Sequence, residues 1–326
     1  MTELLIPTVA SPVPGGGGDD AQGLAVDSSS PAKLAFRRYL RHRAAMVATV
    51  VLLLIALAVI LAPLLAPYTP NERVGDQRVQ NVQLLKPSTK YLFGTDSIGR
   101  DLFSRILWGG RASLFIGLAV ALASGVIGTA VGAYAGFRGG RFDNALMRVT
   151  DLFLAFPLLV TLLIVEQLPS HQKWARTVLG PPGTLRLMVT LLSLVGWMST
   201  ARIVRGVVLS LKEKEFVEAA RALGATDRRI IARHLVPNSL GPIIVSMTFT
   251  TAFAIGLEST ISFFGLGISP IHASWGSLLS DSKGYILSGK WWLVLYPCLV
   301  LLLTVLSVNF MGDGLRDALD PKQKRH

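Results

Sequence analysis

Glu258 and Asp151 are the two carboxylates whose placement gives them a chemical claim. Glu258 is the only charge between Leu235 and Ile271, and Asp151 directly precedes an uncharged run, Leu152 to Val165. Charge in hydrocarbon is costly, so an ionisable side chain kept there is a candidate for the path of a solute or ion. The structural alternative stays open for both: Glu258 hydrogen-bonded or paired inside a bundle, Asp151 at the inner interface. Asn309, in another apolar run, is a candidate for a hydrogen bond between helices. Bond-making chemistry has no comparable footing. The sequence contains no G-x-x-x-x-G-K-[ST] phosphate loop, no H-E-x-x-H pair and no G-x-S-x-G elbow. Its five histidines (His42, His171, His234, His272, His326) do not cluster, and the single cysteine, Cys298, can form neither an internal disulfide nor a Cys-based zinc site. No catalytic, metal-binding or cofactor-binding residue is expected, and the chain is read as not an enzyme.

The elements that must hold these residues are membrane helices. The 326 residues are 51% hydrophobic, with mean hydropathy +0.51 and only 16% charged residues, against about 25% in an average soluble domain. The net charge of +12 is spread between apolar runs without a basic patch interleaved with aromatics, which speaks against a nucleic-acid partner and for charge that sets topology. Six spans are expected: Ala44–Ala66, Ala112–Phe137, Leu152–Val165 interrupted by Pro157, Leu187–Ala201, a long tilted or broken span within Leu235–Ile271, and Trp291–Gly312. In the second, Ser124, Gly128, Gly132 and Gly136 recur every four residues, a small-residue face for close helix approach. Segments expected on the inner side carry 20 of the 32 Lys and Arg residues, so both ends are placed in the cytoplasm.

The chain divides into a disordered cytoplasmic tail (1–33), a first span with an outer loop (34–111), a five-helix core (112–313) with an inner loop at 206–236, and a cytoplasmic C-terminal tail (314–326). Within the outer loop, Leu102, Phe103, Ile106 and Leu107 fall on one stripe beside Arg100, Arg105 and Arg111, which predicts a helix lying on the membrane surface. The inner loop predicts two short helices. Ser210 and Glu213 have capping-box spacing. Phe216, Val217, Ala220 and Leu223 make an apolar stripe among Glu215, Glu218 and Arg221. Gly224 can end the first helix in the left-handed conformation, and Thr226 or Asp227 can cap the second.

Glu218-Ala219-Ala220, then Gly224, then Pro237 resembles the EAA loop of permease subunits of binding-protein-dependent ABC importers. FGTDSIGRDLFSRILWGGRASL (93–114), ESTISFFGLGISP (258–270) and NFMGDGLRDALDP (309–321) resemble the second, C-type permease subunit of oligopeptide and dipeptide importers, so that the likeness covers about residues 34–321. The resemblance implies an all-α integral membrane fold of the type I importer permease class. It implies a cytoplasmic coupling helix that docks on separate ATPase subunits, with Glu215, Phe216, Val217, Glu218, Ala219, Ala220, Arg221, Leu223, Gly224 and Arg228 as the docking loop. It further implies a second permease subunit, two ATPase subunits carrying ATP and Mg, an external peptide-binding protein, and a bacterial plasma membrane. Nickel or another small solute is an alternative cargo within the class. A secondary transporter is the rival from another class, and the inverted repeats many such proteins show are not visible in this sequence.

Overall fold

The structure is a computed structural model that describes residues 31–74, 82–268 and 273–319. Among these the chain is helical, with isolated bridges Arg73–Arg100 and Thr95–Asp101 as the extended pairings. Helices α1 (Pro31–Arg41), α2 (Arg43–Ile60) and one-turn α3 (Ala62–Leu65) come first. The extended loop that follows leads to α4 (Leu102–Arg138), α5 (Gly140–Ala155), α6 (Leu158–His171), α7 (Lys173–Leu179) and α8 (Leu185–Leu211). The inner loop holds α9 (Glu215–Ala222), α10 (Asp227–Ile230), a π-helical turn (Ile231–Leu235) and α11 (Val236–Asn238). Then come α12 (Leu240–Phe263), α13 (Trp275–Ser282), a 3-10 turn (Lys283–Ser288) and α14 (Trp292–Leu319).

Five of these helices, α2, α4, α8, α12 and α14, are long and apolar enough to cross a bilayer. The pair α5 and α6 meets the same test but is bent by 88°. The break falls at Phe156–Pro157: the proline ring forbids helical geometry to the residue before it, and Phe156 is extended at φ −79°, ψ 143°. This pair still carries the chain from one end of the bundle to the other. Asp143, near the start of α5, forks onto Arg205 near the end of α8. Beyond the bend, Ala175 and Leu179 of α7 pack with Ala112 and Leu187, at the opposite end. With this bent pair taken as one span, the described residues hold six, the number the hydropathy pattern predicts.

An even number of crossings returns the chain to its starting end. His42 lies 3.5 Å from Asp317, and Leu319 approaches Gly241 at the start of α12. α1, α9 and the last turn of α14 therefore share one end, called here the α9 end; α13 and the start of α4 form the other.

α4 is the axis of the bundle and packs most extensively on α8, then on α12. The small-residue face explains the close approach. A Cβ on Gly128 would sit 2.7 Å from the Trp197 carbonyl, one on Gly136 2.9 Å from that of Arg205, and one on Gly132 closer still to that of Ala201. Without a hydrophobic force between helices in lipid, this backbone-level contact supplies the packing. α14 fits between α12 and α2, while α2 turns Leu53, Leu54, Leu57 and Ile60 outward, as a lipid-facing helix should.

Several expectations need correction. The stripe at Asp101–Arg111 is not a separate surface helix: it forms the first turns of α4, with Leu102, Arg105, Ile106 and Leu107 buried. Asp101 caps that start by accepting from the Ser104 amide at 2.8 Å, so the boundary at 111/112 falls inside one helix. The Ser210–Glu213 capping box does not form. α8 runs on to Leu211 because Val208 is still packed inside, and the Ser210 hydroxyl donates instead to the Val207 carbonyl at 2.7 Å. Thr226 is the N-cap residue of α10, but its side chain makes no cap bond. At the C-terminus the expected tail begins as helix, since α14 continues to Leu319. The tail expected at 1–33 gives way to α1 from Pro31; residues 1–30 and 320–326 lie outside the described residues.

Candidate functional site

α9 is short, and its ends are set by backbone geometry. Gly224 has φ +77°, and its amide donates to the Arg221 carbonyl at 2.9 Å while the Ala225 amide donates to that of Ala220 at 3.0 Å. These two bonds form a Schellman stop, which needs a left-handed residue and so favours glycine. The stripe Phe216, Val217, Ala220, Leu223 is divided rather than presented whole. Val217 and Ala220 face inward onto Phe137, Val208, Ile230 and Leu235. Phe216 and Leu223 stay 39% and 88% exposed, and Glu215, Glu218, Ala219, Arg221 and Arg228 are exposed around them. Arg221 also lies over the Phe137 ring at 5.3 Å, where the ring face attracts the cation. Outward, Phe216, Ala219, Leu223, Gly224, Arg229 and His234 border a groove of about 360 Å³. The helix is thus fixed to the end of α4 by one face and leaves apolar side chains exposed on the other.

The structure does not bring the intramembrane candidates together. Glu258 is fully buried. Its Oε1 accepts from the Ser262 hydroxyl at 2.7 Å and from that of Ser274 at 2.8 Å. Its Oε2 lies 3.4 Å from the hydroxyls of Ser113 and Ser259, both longer contacts. Ser113 belongs to α4, Ser259 and Ser262 to α12, and Ser274 is the N-cap of α13, in a capping box with Ser277. Ser113 also accepts from the Trp275 amide at 3.2 Å, and the Trp275 indole donates to the Ile106 carbonyl at 3.0 Å. Glu258 is therefore the hub of a clamp joining three helices, and its side chain has no exposure to solvent.

Asp151 has the opposite setting. It pairs with Arg202 of α8 at 2.5 Å, and both side chains are exposed, 59% and 45%. Asn309 is half-buried on α14, and no hydrogen bond joins it to another described residue, so it does not bridge helices here.

A further cluster was not visible in the sequence pattern. Asp96 Oδ2 accepts from Arg100 Nε at 2.7 Å and from Arg105 Nη1 at 2.9 Å. Arg105 Nη1 also lies 3.1 Å from Asp281 Oδ2. Asp96, Arg100 and Arg105 are buried, so this network fastens the outer loop and α13 to the start of α4. Asp281 is 176 residues from Arg105, which no spacing rule connects; the carboxylate and arginines of the 96–105 segment were the only available signal.

Five long apolar helices and a bent sixth span around a glycine-faced central helix, with a short helix held out at one end, define a multi-pass membrane architecture. The chain belongs to the family of binding-protein-dependent transport system inner membrane components, which matches residues 128–325, and it is a permease of the ATP-binding-cassette importer class. Residues 30–87 match a second family, described as the N-terminal TM domain of oligopeptide transport permease C. A putative peptide transport system permease protein of Brucella abortus is 40% identical over 296 residues, covering 90% of this chain and 93% of the relative. The dipeptide transport system permease protein DppC of Bacillus subtilis is 40% identical, covering 89% and 86%. The oligopeptide transport system permease protein OppC of the same organism is 37% identical and covers 94% of each. The solved structure of the inward-facing MetNI methionine ABC transporter aligns with TM-score 0.53 at 20% identity, covering 65% of this chain and 94% of that one; this likeness shows the fold alone.

Proposed function

We propose that this chain is one of two permease subunits of a bacterial peptide importer and that α9 is the element through which separate ATPase subunits drive it. The observation that carries the reading is the division of α9: Val217 and Ala220 are seated against α4 and α8, while Phe216 and Leu223 stand exposed over the Gly224 turn. An amphipathic helix of this kind suits insertion into a groove of a partner. The peptide cargo rests on the names of the relatives. ATP and Mg belong to the ATPase subunits in this reading, hydrolysis takes place there, and this chain supplies half of the path. An external binding protein delivers peptide, ATP binding draws the ATPases together, and the bundle switches between two states biased by both partners. The α9 end is the cytoplasmic end of a plasma-membrane protein, with both termini on that side.

The exposed Asp151–Arg202 pair supports a location for the path. Arg202 directly follows the expected span Leu187–Ala201 and both partners of the pair are exposed, a setting that suits a water-facing or protein-facing surface better than one against lipid. The face of α5 and α8 that carries it is turned to water or to the second permease. Glu258, buried within one chain, acts in this reading as a structural clamp.

The test is co-purification of this chain with its ATPase and permease partners, together with peptide uptake by the reconstituted complex. Glu218→Arg and Gly224→Trp should lose ATPase association or uptake while the chain itself still folds. If the parent chain brings down no ATPase and peptide still moves without ATP, the importer reading gives way to a secondary transporter. Uptake of nickel but not of peptide by an intact, ATP-dependent complex would change the cargo alone.

A further inference from the structure

The basic residues of α1 are among those that set topology, but that role does not account for the apolar side chains exposed beside them. Lys33, Arg37 and Arg41 recur at successive turns, and Arg43 follows at the start of α2; all four are exposed. None of the four has a carboxylate within ion-pair distance among the described residues. On the adjacent sector Phe36 is 62% and Leu40 45% exposed. The remaining sector is used for packing: the Tyr39 ring lies against Gly314 of α14, and the Tyr39 hydroxyl bonds that of Thr49. That bond fixes the position of α1. Thr49 lies in the second turn of α2, beyond the first residues of the uncharged span that begins at Ala44. The chain turns at His42, where the backbone is extended (φ −80°, ψ 92°), and brings α1 back level with the edge of the apolar span instead of projecting past it.

We infer that α1 is an interfacial helix that binds the anionic headgroups of the leaflet at the α9 end. Phe36 and Leu40 enter the boundary between headgroups and acyl chains, and Lys33, Arg37, Arg41 and Arg43 contact lipid phosphates. A helix with an apolar sector flanked by uncompensated cations at the level of the interface matches a negatively charged membrane surface in both respects. Guanidinium groups suit this role because they bind phosphate through paired N–H donors. Continuity with α2, interrupted only by His42, holds α1 at that surface without a further anchor. The sidedness proposed above decides only which leaflet is meant.

The experiment uses the assembled complex in vesicles of phosphatidylcholine alone or with about one-third phosphatidylglycerol. Cys298, the single cysteine, is replaced by Ala, and spin labels are attached in turn to Phe36→Cys, Leu40→Cys, Arg37→Cys and Arg41→Cys. Collisions with oxygen and with a water-soluble nickel chelate then report immersion. Labels at 36 and 40 are expected to favour oxygen and those at 37 and 41 the chelate, with 36 and 40 moving deeper when phosphatidylglycerol is present. Arg37→Gln/Arg41→Gln in the Phe36→Cys background should abolish that lipid-dependent shift. Equal exposure of all four labels to the chelate would overturn the inference. Protection of 36 and 40 from both reagents would overturn it too, since a protein would then cover α1. Neither result depends on cargo or on ATPase docking, so the importer reading is tested separately.

Discussion

At Glu258, neutralising the side chain and deleting it are different experiments. Gln keeps the volume and one acceptor oxygen, and the serine hydroxyls around it can reorient to accept from the new amide. Glu258→Gln is therefore expected to leave the unfolding temperature of the purified chain, and peptide uptake, close to the parent. Glu258→Ala strands the hydroxyls of Ser113, Ser262 and Ser274 and opens a void, at a cost of about 2–4 kcal/mol, seen as a clear drop in unfolding temperature. A Gln variant that unfolds normally but transports nothing would show that the charge itself is needed. The same logic separates two ion pairs. Asp96→Asn leaves Arg100 and Arg105 buried without their shared carboxylate and should cost about 3–5 kcal/mol. Asp151→Asn breaks an exposed pair and should cost less than about 1 kcal/mol; a large loss of uptake without loss of stability there would favour a role in the path. The sequence singles out Glu258 and Asp151 because both are charges at apolar runs. It could not tell their settings apart, since the serines that surround Glu258 come partly from positions 145 and 16 residues away.

The helices themselves were legible where one physical rule dominated. Uncharged length gave α2, α12 and α14, and the four-residue spacing of small side chains marked a face for close helix approach, which the structure fills with α8: Gly128, Gly132 and Gly136 lie on the carbonyls of Trp197, Ala201 and Arg205. Local signals failed where tertiary packing prevailed. The Ser210–Glu213 spacing was correct for a cap, yet burial of Val208 carries α8 through it. The Leu102–Leu107 stripe was read as facing lipid, whereas α13 and the outer loop cover it. Asp101 ahead of that stripe was the start signal for α4. The glycine face provides an element-level test. Gly132→Ile forces a branched side chain into the Ala201 backbone and should sharply reduce the yield of folded chain. Gly206→Ala, with no heavy atom within 4 Å of its added Cβ, should be neutral or stabilising by up to about 1 kcal/mol. Comparing detergent-extracted, monodisperse yield of the two variants checks the contrast.

For the molecule as a whole, the sequence foretold six spans, and the structure has five long apolar helices and a sixth span if the pair bent at Pro157 is counted as one; among the described residues, the start of α2 meets the end of α14 at one end of the bundle. What it could not foretell is the helix that starts at Pro31, because α1 takes its place from Tyr39 meeting Thr49 and Gly314 rather than from its own apolar content. At this scale the prediction concerns nucleotide. In the reconstituted complex, Leu223→Arg should uncouple ATP hydrolysis from peptide movement or prevent ATPase association, whereas Lys212→Gln, outside the exposed apolar face, should retain both; paired measurement of phosphate release and uptake distinguishes the outcomes. The length of α4 gives such coupling a mechanical form. Its 37 residues extend roughly 55 Å, well past the hydrocarbon on both sides together. It contains no proline, and its last turns hold α9 through Ala133 and Phe137 while its first turn is gripped by Asp96 and Trp275. In the proposed reading, where a nucleotide-driven partner docks at α9, α4 acts as a push rod: one continuous helix joins that end of the bundle to the other, so a displacement imposed at α9 has a direct mechanical route to the opposite end.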